Sequence, residues 1–294
     1  MSTTTAKRIR TIGEAGDYTV QHKWKRRPSI KTNLINLNHV YDFCGRSMPL
    51  KRMSQGSWWV ELRSHLQEEH PEWSTSTVNR VTTVASTVLN FTRECDFHDV
   101  KVPEGFKKLK EAESRLLYYT KEQVDKLAFT ALDLFDRQDL HDAILVSAYS
   151  GVRQAELLKL RAGDIDLNLN VIWVGGRPHL TTKGKECRPV DIHPKIEPIL
   201  RRLVLDAESD EVKLFGQHFD NGDQLLRVFR KVRNRCGIDA PYCWHTLRAS
   251  FATWLGEVAH PRQVMAAGGW KDLNVVLRYC HATDTARKAA ILSM

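Results

Sequence analysis

The scarcity of β signal limits the fold of this chain more than any other feature. In 294 residues there is one strong pair of strand-like runs, "VIWVGG" (171–176) and "RPVDIH" (188–193). They flank "LTTKGKE" (180–186) and read as a hairpin with Gly184 at its turn. On both sides, apolar residues recur at three- and four-residue spacing, the period of helices with one buried face. The pattern predicts a mainly α fold with a small antiparallel β-sheet.

Ser29 reads as an N-cap, and Ile30, Leu34, Leu37 and Tyr41 make an amphipathic helix ending near Gly45. "GSWWVELRSHLQEEHP" gives a second helix, stopped before Pro71, and a third runs from about 76 to 94 with Val78, Val81, Val84 and Val88 on one face. Thr120 and Gln123 form a capping box that opens a new domain. Helices are predicted there at 121–135, 138–149 and about 152–160. After the hairpin they resume at 195–206, 222–236, 245–255 and 261–267, ending with a segment around Tyr279. The length suits two domains. The expected division is a basic N-terminal extension (1–28), an all-α unit (29–112), a linker (113–119) and an α-rich domain (120–294).

A formal net charge of +9 makes a polyanion the first partner to consider. Lys23, Lys25, Arg26 and Arg27 in "KWKRRP", with Lys51, Arg52, Arg80, Lys107 and Lys108 on the helical unit, are candidate phosphate contacts. A solvated basic surface is the alternative. The six cysteines form no C-x-x-C pair, no signal peptide precedes them, and no apolar run approaches membrane-spanning length. They read as reduced thiols of a cytoplasmic protein. Cys236, Cys243 and His245 lack a fourth ligand and a zinc-site spacing, so no metal is expected.

Four short stretches carry candidate chemistry. In "YCWHTLRASFATWL", His245 and Arg248 are neighbours on one helix face, beside the small residues Ala249 and Ala252. In "YSGVRQAELLKLRAGDIDL", Arg153 follows a glycine at a helix start, with Glu156 three residues on to orient its guanidinium. An arginine there opposes the helix dipole unless an anion compensates. Lys183 projects from the hairpin turn, with Lys185 as its competitor. In "GGWKDLNVVLRYCH", the Trp270 indole can donate to an oxygen. Tyr279 falls roughly 115° from the centre of the stripe formed by Leu273, Val276, Leu277 and Cys280 at 100° per residue. Taken alone, each feature is more often an ordinary surface or core residue.

Their order is distinctive. R-x-x-E, a hairpin lysine, H-x-x-R, and G-W followed nine residues later by Tyr resembles the tyrosine recombinase (phage integrase) family, over residues 120 to 285. The helical unit is similar in kind to that family's core-binding (SAM-like) domain. The resemblance implies a two-domain clamp on duplex DNA, and a catalytic set of Arg153, Lys183, His245, Arg248, Trp270 and the nucleophile Tyr279. Glu156 stands at the acidic buttress, and Trp270 where many members have histidine. Indole cannot shuttle a proton at neutral pH, which leaves acid–base duty to Lys183 and His245.

The resemblance further implies a 3′-phosphotyrosyl intermediate and a Holliday junction, formed without cofactor by a homotetramer on attachment-type DNA sites. An excisionase or DNA-bending protein is a possible further partner, and the apolar cluster Ala289–Leu292 is expected to dock either in its own domain or on a neighbouring protomer. The basic extension favours a phage or prophage integrase. A host Xer-type resolvase, a type IB topoisomerase-like enzyme and a non-catalytic DNA-binding regulator are the alternatives.

Overall fold

The computed structural model describes residues 8–111, 116–177, 187–219, 221–280 and 292. The chain divides into two compact units, Met1–Ser114 and Arg115–Met294.

The first unit is built from α1 (Ile12–Thr19), α2 (Ile30–Cys44), α3 (Gly56–Glu69) and α4 (Thr75–Glu94). α4 is its axis, because α1, α2 and α3 all pack on it. Its buried face carries Val78, Val81, Val84, Ala85, Val88 and Leu89, met by Trp58 and Trp59 from α3 and by Leu37 and Val40 from α2. The Trp59 indole donates to the Met53 carbonyl at 2.8 Å, so its one polar atom is satisfied inside the core. Asn79 is 2 % exposed and clamps the following chain to α4. Its amide donates to Leu109 O (3.0 Å) and to Glu111 Oε1 (2.9 Å), and accepts from Leu109 N (2.9 Å).

Residues 12–24 depart from the expected polar extension. Thr11 and Glu14 close a capping box on α1, and a π-helical turn (Val20–Trp24) continues it. Ile12, Ala15 and Trp24 are buried in the same core as α4. The signal was legible in "TIGE", but the polar composition around it masked a helix whose buried face is only four or five residues.

In the second unit, α5 (Lys121–Asp133) and α6 (Gln138–Ser150) form an antiparallel pair. After α7 (Gln154–Leu157) come β1 (Ile165–Asp166), β2 (Val171–Val174) and β3 (Arg188–Asp191), then α8 (Glu197–Leu205), α9 (Gly222–Arg235), α10 (Trp244–Gly256), α11 (Pro261–Gly268) and α12 (Leu273–Leu277). The Thr120–Gln123 capping box is present on α5. The sheet is antiparallel in the order β1-β2-β3, with Ile172 opposite Val190 and Val174 opposite Arg188. At two residues, β1 is too short to show alternation in the sequence. The helix expected over 152–160 is only one turn, since the chain must bend immediately to reach β1. Tyr119, expected in a linker, is fully buried, with its N–H donating to Ser250 Oγ at 2.8 Å. The hairpin turn with Lys183, Gly184 and Lys185 lies outside the described residues, as does the C-terminal cluster apart from Leu292.

Candidate active site

The site of the second unit is assembled around two glycine turns. Gly151 ends α6 in the left-handed region (φ 64°), and a Cβ there would stand 2.3 Å from the Phe251 ring. Only glycine lets α10 approach so closely. Gly269 ends α11, also left-handed (φ 66°). The preceding Gly268 has no room for a side chain because the Trp270 ring folds back over it.

Arg248 reaches from α10 between these turns. It is 3 % exposed and donates to the carbonyls of Gly151 and Gly268, the latter at 2.6 Å. Its guanidinium lies 4.0 Å from the Trp270 ring centroid. Burial, and then the Arg153 charge, pull it down to about 10, so it stays cationic at neutral pH. Two backbone carbonyls and an aromatic face hold this cation. They orient it without neutralising it, and three of its five N–H groups have no hydrogen-bond partner among the described residues.

Arg153 is the N-cap of α7, and its side chain is 46 % exposed. Its backbone N–H donates to Glu156 Oε2 (2.8 Å), Nη1 to Glu156 Oε1 (2.7 Å) and Nη2 to Gly269 O (3.1 Å). Glu156 is thus both the capping-box acid and the buttress of the guanidinium. Burial would raise its carboxyl, but Arg188, the Arg153 N–H and the Arg153 side chain outweigh that and hold it at about 2. His245 opens the first turn of α10 with an exposed ring. Partial desolvation, then Arg248 and Arg153, push it below its ordinary value, so the imidazole is neutral at pH 7.

Tyr279 corrects the helical-wheel expectation. α12 ends at Leu277, and Tyr279 lies in the turn after it, its N–H donating to Val276 O at 2.8 Å. Leu277, placed on the buried stripe from sequence, is 46 % exposed. Tyr279, expected at the border of that stripe or outside it, is half-buried, packed on the small cluster of Ala252, Val264 and Val276, with its ring 5.8 Å from that of Trp270.

Arg153, Glu156, His245, Arg248, Trp270 and Tyr279 therefore come together, while Lys183 lies outside the described residues. The sequence reading missed Arg188, which opens β3 and forks onto Glu156. A lone arginine at a strand start carries no periodic or spacing signal. The basic candidates of the first unit are scattered. Arg80 and Lys108 line one groove with Thr32, Asn36 and Thr83. Lys23 instead stacks over Phe91 at 4.6 Å, roughly 16 Å further along α4 at 1.5 Å per residue. Lys25, Arg26, Arg27, Lys51, Arg52 and Lys107 are exposed.

The phage integrase family matches residues 118–286, more than half of the chain, and the chain belongs to that family. A tyrosine recombinase of Pseudothermotoga lettingae is 28 % identical over 162 residues, 53 % of this chain and 55 % of that protein. Tyrosine recombinase XerC of Chlamydia caviae is 28 % identical over 180 residues, 58 % and 55 % of the two chains. The chain thus spans about half the length of these curated relatives. Among solved structures, the Tn1549 transposon integrase in complex with transposon right end DNA has a TM-score of 0.77 at 16 % identity, covering 96 % of this chain and 99 % of that one. A lambda integrase in a tetramer bound to a Holliday junction has a TM-score of 0.72 at 12 % identity, covering 92 % and 77 %. At these identities the likeness is one of fold.

Proposed function

We propose that this chain is a site-specific tyrosine recombinase that cuts and rejoins duplex DNA through Tyr279. The observation that carries the reading is the convergence of two guanidiniums, Arg153 and Arg248, on the glycine turn that presents Trp270 beside the Tyr279 ring. Tyr279 Oη attacks a backbone phosphorus as the bond to the 5′ oxygen breaks, leaving a 3′-phosphotyrosine and a 5′-hydroxyl. Arg153 and Arg248 neutralise the non-bridging oxygens as charge builds on them. The neutral His245 accepts the tyrosine proton, and Lys183, by resemblance, supplies one to the departing oxygen. The ester energy stays in the phosphotyrosine, so religation to another strand needs neither nucleotide nor metal.

The reading extends to a homotetramer exchanging strands between two duplexes through a Holliday junction. A second, Xer-type reading has support of its own. Residues 12–24 pack Ile12, Ala15 and Trp24 into the core of the first unit, which leaves only the short exposed run Lys25, Arg26 and Arg27 before Ser29 in favour of a phage integrase.

A nicked suicide substrate tests the chemistry. The wild-type chain should form a covalent adduct and Tyr279→Phe none, with DNA binding and melting temperature unchanged. Adduct in the phenylalanine variant would remove Tyr279 as nucleophile. Strand exchange between paired attachment sites, as opposed to resolution of plasmid dimers, separates the integrase from the Xer-type reading. Relaxation of supercoils by a monomer at many sequences would replace both with a topoisomerase.

A further inference from the structure

Arg188 lies at the start of β3, directly after the hairpin segment, and its side chain is 18 % exposed. It meets Glu156 fork to fork, Nη1 on Oε1 at 3.2 Å and Nη2 on Oε2 at 3.0 Å. Each carboxylate oxygen therefore takes one bond from Arg188 and one from Arg153. The side chain also fills the space that a Cβ on Gly269 would need: such an atom would stand 2.7 Å from Arg188 Cδ and Nε. Gly269 O is the acceptor of Arg153 Nη2. Arg188 thus touches both groups that aim Arg153, the acid on one side and the glycine turn on the other.

The charge count gives this contact a purpose that packing alone does not. Among the described residues, Arg153 and Arg188 share the carboxylate of Glu156 and Arg248 lies close by, a net of two positive charges for these four groups. Without Arg188, Glu156 would be compensated by Arg153 alone, and the net would fall to one. A carboxylate bound only to Arg153 would compete with a phosphate for that guanidinium. With a second arginine on both its oxygens, it orients Arg153 and leaves its charge to the substrate.

We infer that Arg188 is a positioning residue of the cleavage reaction, which neutralises Glu156 so that Arg153 faces the scissile phosphate with its charge uncompensated. This inference rests on the recombinase reading above. The contacts lie within the second unit, and Arg188 need not touch the DNA.

The test measures single-turnover cleavage of suicide substrates by the full chain and its variants. One substrate carries the natural phosphodiester at the cut site, the other a methylphosphonate, which has one negative charge fewer to stabilise. Arg188→Gln should cleave the phosphodiester about 10- to 100-fold more slowly than wild type, a loss of the size expected for one charged partner in a partly buried site. The defect should shrink to within about threefold on the methylphosphonate, on the same reasoning. Arg188→Lys keeps the charge without the fork and should recover most of the phosphodiester rate.

The double variant Glu156→Gln with Arg188→Gln restores a net of two charges. It should cleave at least as well as Arg188→Gln alone, whereas a purely structural contact makes the double variant worse. Equal defects on both substrates, a lysine variant no better than the glutamine one, or an additive double variant would each overturn the inference. Should Arg188→Gln unfold, the lysine variant compared on the two substrates decides in the same way. If the wild-type chain forms no adduct, the recombinase reading falls and this inference with it. If it does and the Arg188 variants cleave normally, this inference alone fails.

Discussion

The two units of this chain handle positive charge in opposite ways. In the first, arginines and lysines such as Arg80, Lys108, Lys51 and Arg52 stand at the surface, and the core beneath them is apolar around α4. In the second, Arg248 is carried into the interior and tied to backbone carbonyls, with Arg153 and Arg188 close by on a shared carboxylate. A surface cation can attract a polyanion along its whole length but aims at no particular atom. A buried one loses hydration, so the fold must supply its partners, and it then presents fixed donors in a fixed direction. On the proposed recombinase reading, the first unit would grip DNA and the second would act at one phosphorus.

The largest test of this contrast is Arg248→Ala. Cleavage should fall by about a thousandfold or more, as when a fixed donor to a developing anion is lost. The variant should also melt lower, because Gly151 O and Gly268 O lose their donor, at about 1–3 kcal/mol for each buried group left unpaired. A cleavage defect with an unchanged melting temperature would place Arg248 outside the structural frame.

His245→Ala comes next, with an expected loss of about 10²–10⁴ in cleavage, the range for a general base. The pH profile is its signature. The folded value of His245 is depressed, so the folded ring stays neutral through the ordinary value of 6.5, where the unfolded chain already takes up a proton, and is protonated only as pH falls through its own lower value. Cleavage and the stability linked to this group should both be level above neutrality and decline only in mild acid. A rate still rising between pH 7 and 8 would oppose the assignment.

Asn79→Ala probes the first unit by stability alone. Removing a 2 %-exposed amide that makes three hydrogen bonds should cost about 2–3 kcal/mol, read as a lower melting temperature of that unit. The smallest effect belongs to Arg80→Ala. DNA binding should weaken severalfold and the slope of log affinity against log salt should drop by about one, with no change in melting. Loss of cleavage beyond the loss of binding would erase the difference between the units.

Most helices are legible in the sequence because their signals are local. The Thr120–Gln123 box, the valine face of α4 and the stop before Pro71 each depend on residues within a turn or two of one another. The hairpin strands were legible for the same reason, as a period-two run against a helical background. α1 was overlooked because its buried stripe is short and its surroundings polar, and β1 because two residues have no period. Tyr279 was assigned to a helix because the wheel assumes that the helix continues, and α12 stops at Leu277.

By itself the sequence determined which residue types stand in which order, and hence the helical frame, the hairpin and the family to which the chain belongs. It also placed Glu156 three residues from Arg153, close enough for one capping box to join them. Only the tertiary structure decided that Arg248 would be buried, that two carbonyls 117 positions apart in the chain, those of Gly151 and Gly268, would hold it, and that Arg188 would arrive on the far side of Glu156. The physical reason is range. Caps and stripes are settled between neighbours along the chain, whereas the partners of a buried charge are chosen when distant segments close around it, and no local pattern encodes which carbonyl will be there.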